Sequence, residues 1–150
     1  MAPADAERHI AYDIGAGALT RALAERLDAP AFLGTFSRLL VDLNRPWGVP
    51  SSVPVVSEAT AIPGNAGLGT AEREERRRRI FEPFHSYLSS ALDGRDRRGL
   101  PTRLVTIHSF TPVFLGERRP WHAGIAFERA MPMPMRCGRR WKRRRGSWSA

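Results

Sequence analysis

A single cysteine, Cys137, stands in 150 residues. One thiol excludes an intrachain disulfide and any Cys-rich metal motif, a usage that fits a reducing compartment and makes the cytoplasm the expected location. No apolar run approaches the roughly 20 residues needed to cross a bilayer. The first eight residues also lack the basic-then-apolar layout of a secretory signal. A soluble chain with no membrane partner is therefore expected. A Walker loop, a dinucleotide fingerprint and a Gly-x-Ser-x-Gly elbow are all missing, so none of the chemistries they mark is indicated. No internal repeat is present.

The charge balance is less simple than its total. Basic residues outnumber acidic ones 24 to 15, which at first suggests a phosphate-bearing partner, since nucleic acids and membrane surfaces attract clustered Arg and Lys. Residues 136–150, however, carry seven basic side chains and no acidic one, leaving 17 against 15 in the first 135. The excess belongs to a tail. At this length and 42% hydrophobic content, one domain with a sizeable core is expected.

Apolar residues Ala16, Leu19, Leu23 and Leu27 recur every three or four positions, predicting a helix over residues 13–27 that closes at Asp28-Ala29-Pro30. Residues 31–36 and 38–43 read as one or two strands ending at Asn44-Arg45-Pro46, where proline stops a central strand. Residues 46–69 hold four prolines and four glycines and read as a long ordered loop. Thr70 is a candidate N-cap for a second helix, with Glu72, Glu74 and Glu75 in the turns where the helix dipole favours negative charge. The apolar face of that helix is Ile80, Phe84, Leu88 and Leu92; Pro83 is expected to kink or split it, and its end is expected near Gly94. Residues 104–107 predict a buried strand and 124–127 another. Alternating helices and strands imply an α/β sheet.

His108 directly follows the apolar run in Ile107-His108-Ser109-Phe110, and strand ends in open α/β sheets are where ligands bind. A neutral imidazole there can ligate zinc or move protons; the bland reading is a hydrogen-bonded structural histidine. Asp42, Asn44 and Arg45 leave a predicted strand together and can clamp a carboxylate, arginine offering a planar fork of donors, or can simply begin a polar loop. His9 and Asp13 lie four apart, one helical turn, and can face one site or solvent equally well. Gly64, Asn65 and Gly67 suit a binding loop or an ordinary turn. His85 and His122 read as packing or surface residues, and Arg76 to Arg79 as a solvated helix face.

Taken together, five segments resemble the N-formylglutamate amidohydrolase family. They are His9-Ile10-Ala11-Tyr12-Asp13-Ile14-Gly15-Ala16, Ser37-Arg38-Leu39-Leu40-Val41-Asp42-Leu43-Asn44-Arg45-Pro46, Ile62-Pro63-Gly64-Asn65, Ile107-His108-Ser109-Phe110-Thr111-Pro112-Val113-Phe114 and Arg119-Pro120-Trp121-His122. Several motifs in order are far more specific than any one alone. The resemblance runs over residues 8–127, and the family is related to the zinc carboxypeptidases and aspartoacylase. It implies an α/β fold, part of a zinc-carboxypeptidase-like (phosphorylase/hydrolase-like) three-layer sheet with flanking helices. It also implies hydrolysis of N-formyl-L-glutamate to glutamate and formate in histidine breakdown, with Zn2+ as cofactor and an N-formyl amino acid as the small-molecule partner. By the same resemblance His108 is a zinc ligand, Asp13 a second metal-site candidate, and Asn44 and Arg45 the holders of the substrate carboxylate.

Two departures from the family pattern shape a further expectation. The family's upstream His-x-Gly segment is not in this sequence, and past residue 129 the chain turns into Met131-Pro132-Met133-Pro134-Met135 and an Arg-rich stretch. The reading is a partial domain over residues 1–129, impaired or inactive, followed by a basic, disordered tail over 130–150. A frameshift near Ala130 accounts for that tail, because the frame one base earlier re-reads the Met-Pro alternation as Asp-Ala repeats and the arginine run as helix formers. The rival reading is a non-enzymatic protein that binds nucleic acid or acidic surfaces through residues 139–145, Trp141 and Trp148.

Overall fold

The computed structural model describes residues 7–114 and 116–125. The expected segments 124–127, for its last two residues, and 130–150, with Cys137, lie outside them. The chain divides into two units, Met1–Arg119 and Pro120–Ala150, and every element below belongs to the first.

The first helix, α1, is Ala16–Leu27. It starts two residues past Ile14 because Gly15 takes φ 79°, a left-handed conformation that costs glycine little, and breaks the chain direction there. Residues 8–12 form turns and bends instead of an earlier helical turn. At the far end Asp28 adopts φ 48°, its N–H reaching the Glu25 carbonyl at 3.4 Å while the Ala29 N–H reaches that of Ala24 at 3.0 Å. That pair of bonds satisfies the last carbonyls, and Pro30 prevents continuation.

The strands expected at 31–36 and 38–43 are absent. Residues 38–40 form a turn, with the Leu40 N–H bonded to the Ser37 carbonyl at 2.9 Å. A strand needs a neighbour to complete its ladder, and here the backbone is claimed elsewhere: the Arg38 N–H bonds Ala11 O and the Asp42 N–H bonds Ser52 O. The proline-rich loop is ordered around a small antiparallel hairpin of β1, Val56–Ser57, and β2, Thr60–Ala61, with Val56 opposite Ala61. Short 3-10 turns, Pro50–Ser52 and Pro63–Asn65, flank it.

Gly69, and not Thr70, caps α2, Thr70–Arg76, and its N–H donates to the Glu72 carboxylate at 3.2 Å. A π turn, Arg77–Phe81, then leads into α3, Glu82–Asp96, which carries Pro83 in its first turn. Proline has no N–H and its ring crowds the carbonyl four residues back, so the helical run widens there and splits as expected. Ile80 is buried, and Trp47 and Phe32 pack on this helical run through Phe81 (5.5 Å between centroids) and Tyr87 (5.6 Å).

The buried strand expected at 104–107 is also absent. Leu104 and Val105 are 56% and 61% exposed in an irregular segment. β-forming residues realise that preference only beside a pairing partner, and among the described residues none pairs with this run. A second antiparallel hairpin follows, β3 (Val113–Phe114) with β4 (Glu117–Arg118). The Arg119 guanidinium lies 4.6 Å from the Phe114 ring centroid at its base.

Helices and small sheets thus make a mixed architecture compatible with the α/β class. Its centre is a buried cluster of Ile10, Ala11, Leu39 and Ile62, brought together from three parts of the chain. Asn65, 2% exposed, serves that cluster as a polar pin. Its Nδ2 donates to the carbonyls of Leu39 (2.7 Å) and Pro54 (2.6 Å), and its Oδ1 accepts from Arg76 at 2.7 Å. Asn65→Ala leaves these groups without partners and is expected to cost about 2 kcal/mol in urea unfolding; a loss within a few tenths would show the pin to be dispensable.

Candidate active site

The turn that ends at Gly15 places Asp13 with its carbonyl accepting from the Ala16 N–H at 3.1 Å and its side chain 23% exposed. Facing it is His108, 95 residues later, with Nδ1 2.7 Å from Asp13 Oδ2. An ionised carboxylate only accepts, so Nδ1 carries the proton in this pair. The lone pair of the neutral ring then lies on Nε2, on a side chain that is 47% exposed.

The other Asp13 oxygen, Oδ1, receives Arg38 Nη1 at 3.3 Å. The same guanidinium donates through Nε (3.3 Å) and Nη2 (2.9 Å) to Asp42 Oδ2. Asp42 is nearly buried; its Oδ1 accepts the Asn44 N–H at 2.9 Å, and Arg45 Nε lies 3.9 Å from its Oδ2. One continuous chain of polar contacts therefore runs from His108 through Asp13, Arg38 and Asp42 to Arg45. Arg45 is half exposed, meets this network through a long ionic contact to Asp42, and lines the adjoining cavity. The Asn44 side chain is exposed, and its backbone N–H is the group tied to Asp42.

A cavity of about 210 Å³ opens on this network. Arg38, Arg45, Asp42, Ser51, Ser57 and Glu58 supply its polar lining, above Ile10 and Leu39 of the core. Glu58, at the tip of the β1–β2 hairpin, has φ 53° and pairs with His9 Nε2 at 2.9 Å. His9 and Asp13 therefore turn to different partners despite their spacing. A larger depression, about 450 Å³ between Leu92 and Thr102, shares no residue with the network. His85 packs against Phe81 and Phe84, with ring centroids 4.3 and 5.4 Å away. His122 belongs to the second unit.

Behind the 37–42 turn stands Arg76. It donates from Nη1 to Leu40 O at 3.0 Å and from Nη2 to Gly64 O at 3.0 Å, besides Asn65. Partial burial, abetted by Arg73 and opposed by Glu72, lowers its pKa from the ordinary arginine value. The expectation that Arg76 belongs to a solvated face is thus corrected, whereas Arg77, Arg78 and Arg79 pair with Glu74, Glu75 and Glu82 on the exposed surface. Arg38 was not singled out by sequence reasoning; its four-residue spacing to Asp42 was the signal that could have drawn notice.

The model of the N-formylglutamate amidohydrolase family matches residues 1–142. The chain belongs to this family. A crystal structure of a gene product from Agrobacterium tumefaciens is similar to it at 40% identity and a TM-score of 0.73, over 79% of this chain and 47% of that one. The chain thus spans about half the length of that protein. No curated protein matches it.

A catalytic zinc commonly takes three protein ligands. Among the described residues no group of three or more His, Cys, Asp or Glu side chains could hold a metal ion. His108 fits the part of one ligand with a carboxylate behind its ring, an arrangement common to metal-bound histidines, but the described amidohydrolase residues do not make a complete zinc site.

Removing the Asp42 carboxylate leaves Arg38 and the Asn44 N–H without their acceptor. Asp42→Ala is expected to cost about 2 kcal/mol, discounted for the partial exposure of Arg38. Asp42→Asn, which keeps an acceptor oxygen, should lose less in urea unfolding; equal losses would contradict this account of the carboxylate.

Proposed function

We propose that this chain carries residues of a site that hydrolyses N-formyl-L-glutamate to L-glutamate and formate, a step of histidine breakdown in the cytoplasm. The observation that supports it is the relay of polar contacts from His108, held by Asp13, through Arg38 and Asp42 to Arg45, the last three of which line a polar cavity. Membership of the N-formylglutamate amidohydrolase family is what suggests this reaction. The zinc-carboxypeptidase-like three-layer sheet belongs to the same proposal, as the architecture of the whole domain.

The substrate is a linear amide with two carboxylates. Arg45 offers a planar fork that suits one of them, with the Asn44 side chain beside it, and Ser51 and Ser57 add hydroxyls in the cavity. Fixing that end places the formyl carbonyl relative to His108, a gain of orientation that lowers the barrier. Water adds to the formyl carbon, the C–N bond breaks, and the nitrogen takes a proton as glutamate leaves formate behind. A carboxylate accepting from Nδ1 favours the tautomer of His108 that leaves the lone pair on Nε2, and Asp13 stands in that position. When bound, zinc supplies Lewis-acid polarisation of the carbonyl and a more acidic water, and His108 Nε2 is the atom this chain would offer it.

Formate release measured on the purified chain tests the proposal. His108→Ala is expected to reduce kcat by at least about 100-fold. Arg45→Ala is expected to raise KM roughly tenfold with little change in kcat, because it removes binding common to ground and transition states. Turnover indifferent to both changes would contradict it, whereas a folded wild-type chain without turnover would show that the expected impairment is complete and that family membership describes ancestry alone.

A further inference from the structure

We propose that Arg38 is a positioning residue, a single guanidinium that sets His108 and Arg45 in register with one another. The inference rests on the reading of those two residues as working ends of one site. Its basis is the way Arg38 is shared. One side of the guanidinium meets Asp13 Oδ1 at 3.3 Å, and the Nε and Nη2 edge meets Asp42 Oδ2 at 3.3 and 2.9 Å. Each carboxylate in turn holds a working part: Asp13 holds the His108 ring, and Asp42 holds the Asn44 backbone and, at 3.9 Å, the Nε of the Arg45 guanidinium. The guanidinium plane is rigid, so the angle between its edges fixes the angle between the two carboxylates. A lysine ammonium is a point charge on a flexible stem and cannot impose that angle.

The backbone reinforces the same registration. The Arg38 N–H and the Ser37 hydroxyl both donate to Ala11 O, at 2.9 and 3.0 Å, two residues before Asp13. Asp42, four residues on, is fixed by its own N–H to Ser52 O at 2.8 Å. Both carboxylates are thus anchored through the main chain on either side of Arg38, and the guanidinium closes the gap between them. Without it, two carboxylates are left without their shared cation, and Arg45 becomes the nearest cation to Asp42. Arg45 would then be drawn inward, away from substrate, while Asp13 loses the group that steadies it against His108. An ordinary surface ion pair would behave differently, contributing a fraction of a kcal/mol to stability and nothing to the state of the histidine.

The test is proton NMR of the full chain labelled with 15N-histidine, the His108 signal being assigned by its loss in His108→Ala. In the wild type the Nδ1–H held by Asp13 is expected as a resolved, hydrogen-bonded resonance. In folded Arg38→Ala and Arg38→Lys it is expected to vanish by exchange with water, although Asp13 and His108 are both intact. In parallel, Arg38→Ala should lower kcat/KM for N-formyl-L-glutamate on the order of 100-fold, through both kcat and KM, unlike Arg45→Ala. An unchanged resonance in a folded Arg38 variant, or none in the wild type, overturns the proposal; if the alanine variant does not fold, the lysine variant decides. Loss of the resonance in a chain that releases no formate would uphold the role of Arg38 and remove the proposed reaction alone.

Discussion

The bond between the Asp13 carboxylate and the His108 imidazole spans 95 positions of sequence, and the candidate site depends on that closure. Bringing two such distant segments together carries an entropic cost that one exposed polar contact does not offset. It is offset by what lies beneath. Ile10 and Ala11, just before Asp13, pack on Leu39 and Ile62, and each well-buried aliphatic side chain contributes about 2 kcal/mol. The core fixes the place of Asp13 and Arg38, and the polar network then extends the order outward to His108. Stability and site are built from the same few residues, with Ile10 and Leu39 serving both as core and as cavity floor.

The 37–42 turn is held from both sides. On the site side Arg38 and Asp42 grip one another; on the other, Asn65 and Arg76 donate to the carbonyls of Leu39 and Leu40. Buried carbonyls need partners, and a turn cannot supply them from its own backbone. Arg76 meets that need from a helix 36 residues away in sequence. Helix α2 is thereby coupled to the site without lining the cavity.

The helices were legible in the sequence. Leucines at helical spacing marked α1, and the glutamate-rich turn and Pro83 marked the broken run from α2 to α3 within a residue or two. The strands were not. Residues 31–43 and 104–107 have the composition of strands, but that composition describes a side chain's fit to a neighbour, and no described segment pairs with either run. Asp13, Asp42, Asn44, Arg45 and His108 could each be picked out by residue type and motif, whereas their connection could not, because Arg38 joins two of them only through the folded turn. Arg76 was hidden for the same reason: within a run of four arginines nothing local distinguishes the one whose partners are distant carbonyls.

The central claim is that a carboxylate-reading arginine and an oriented histidine form one site for a small N-formyl dicarboxylate. Calorimetric titration of the purified chain with N-formyl-L-glutamate, against the same compound with both carboxylates converted to amides, tests it most directly. The account predicts saturable binding of the dicarboxylate, weakened in Arg45→Ala, and no measurable binding of the diamide. Equal binding of both compounds, or binding indifferent to Arg45, would contradict it.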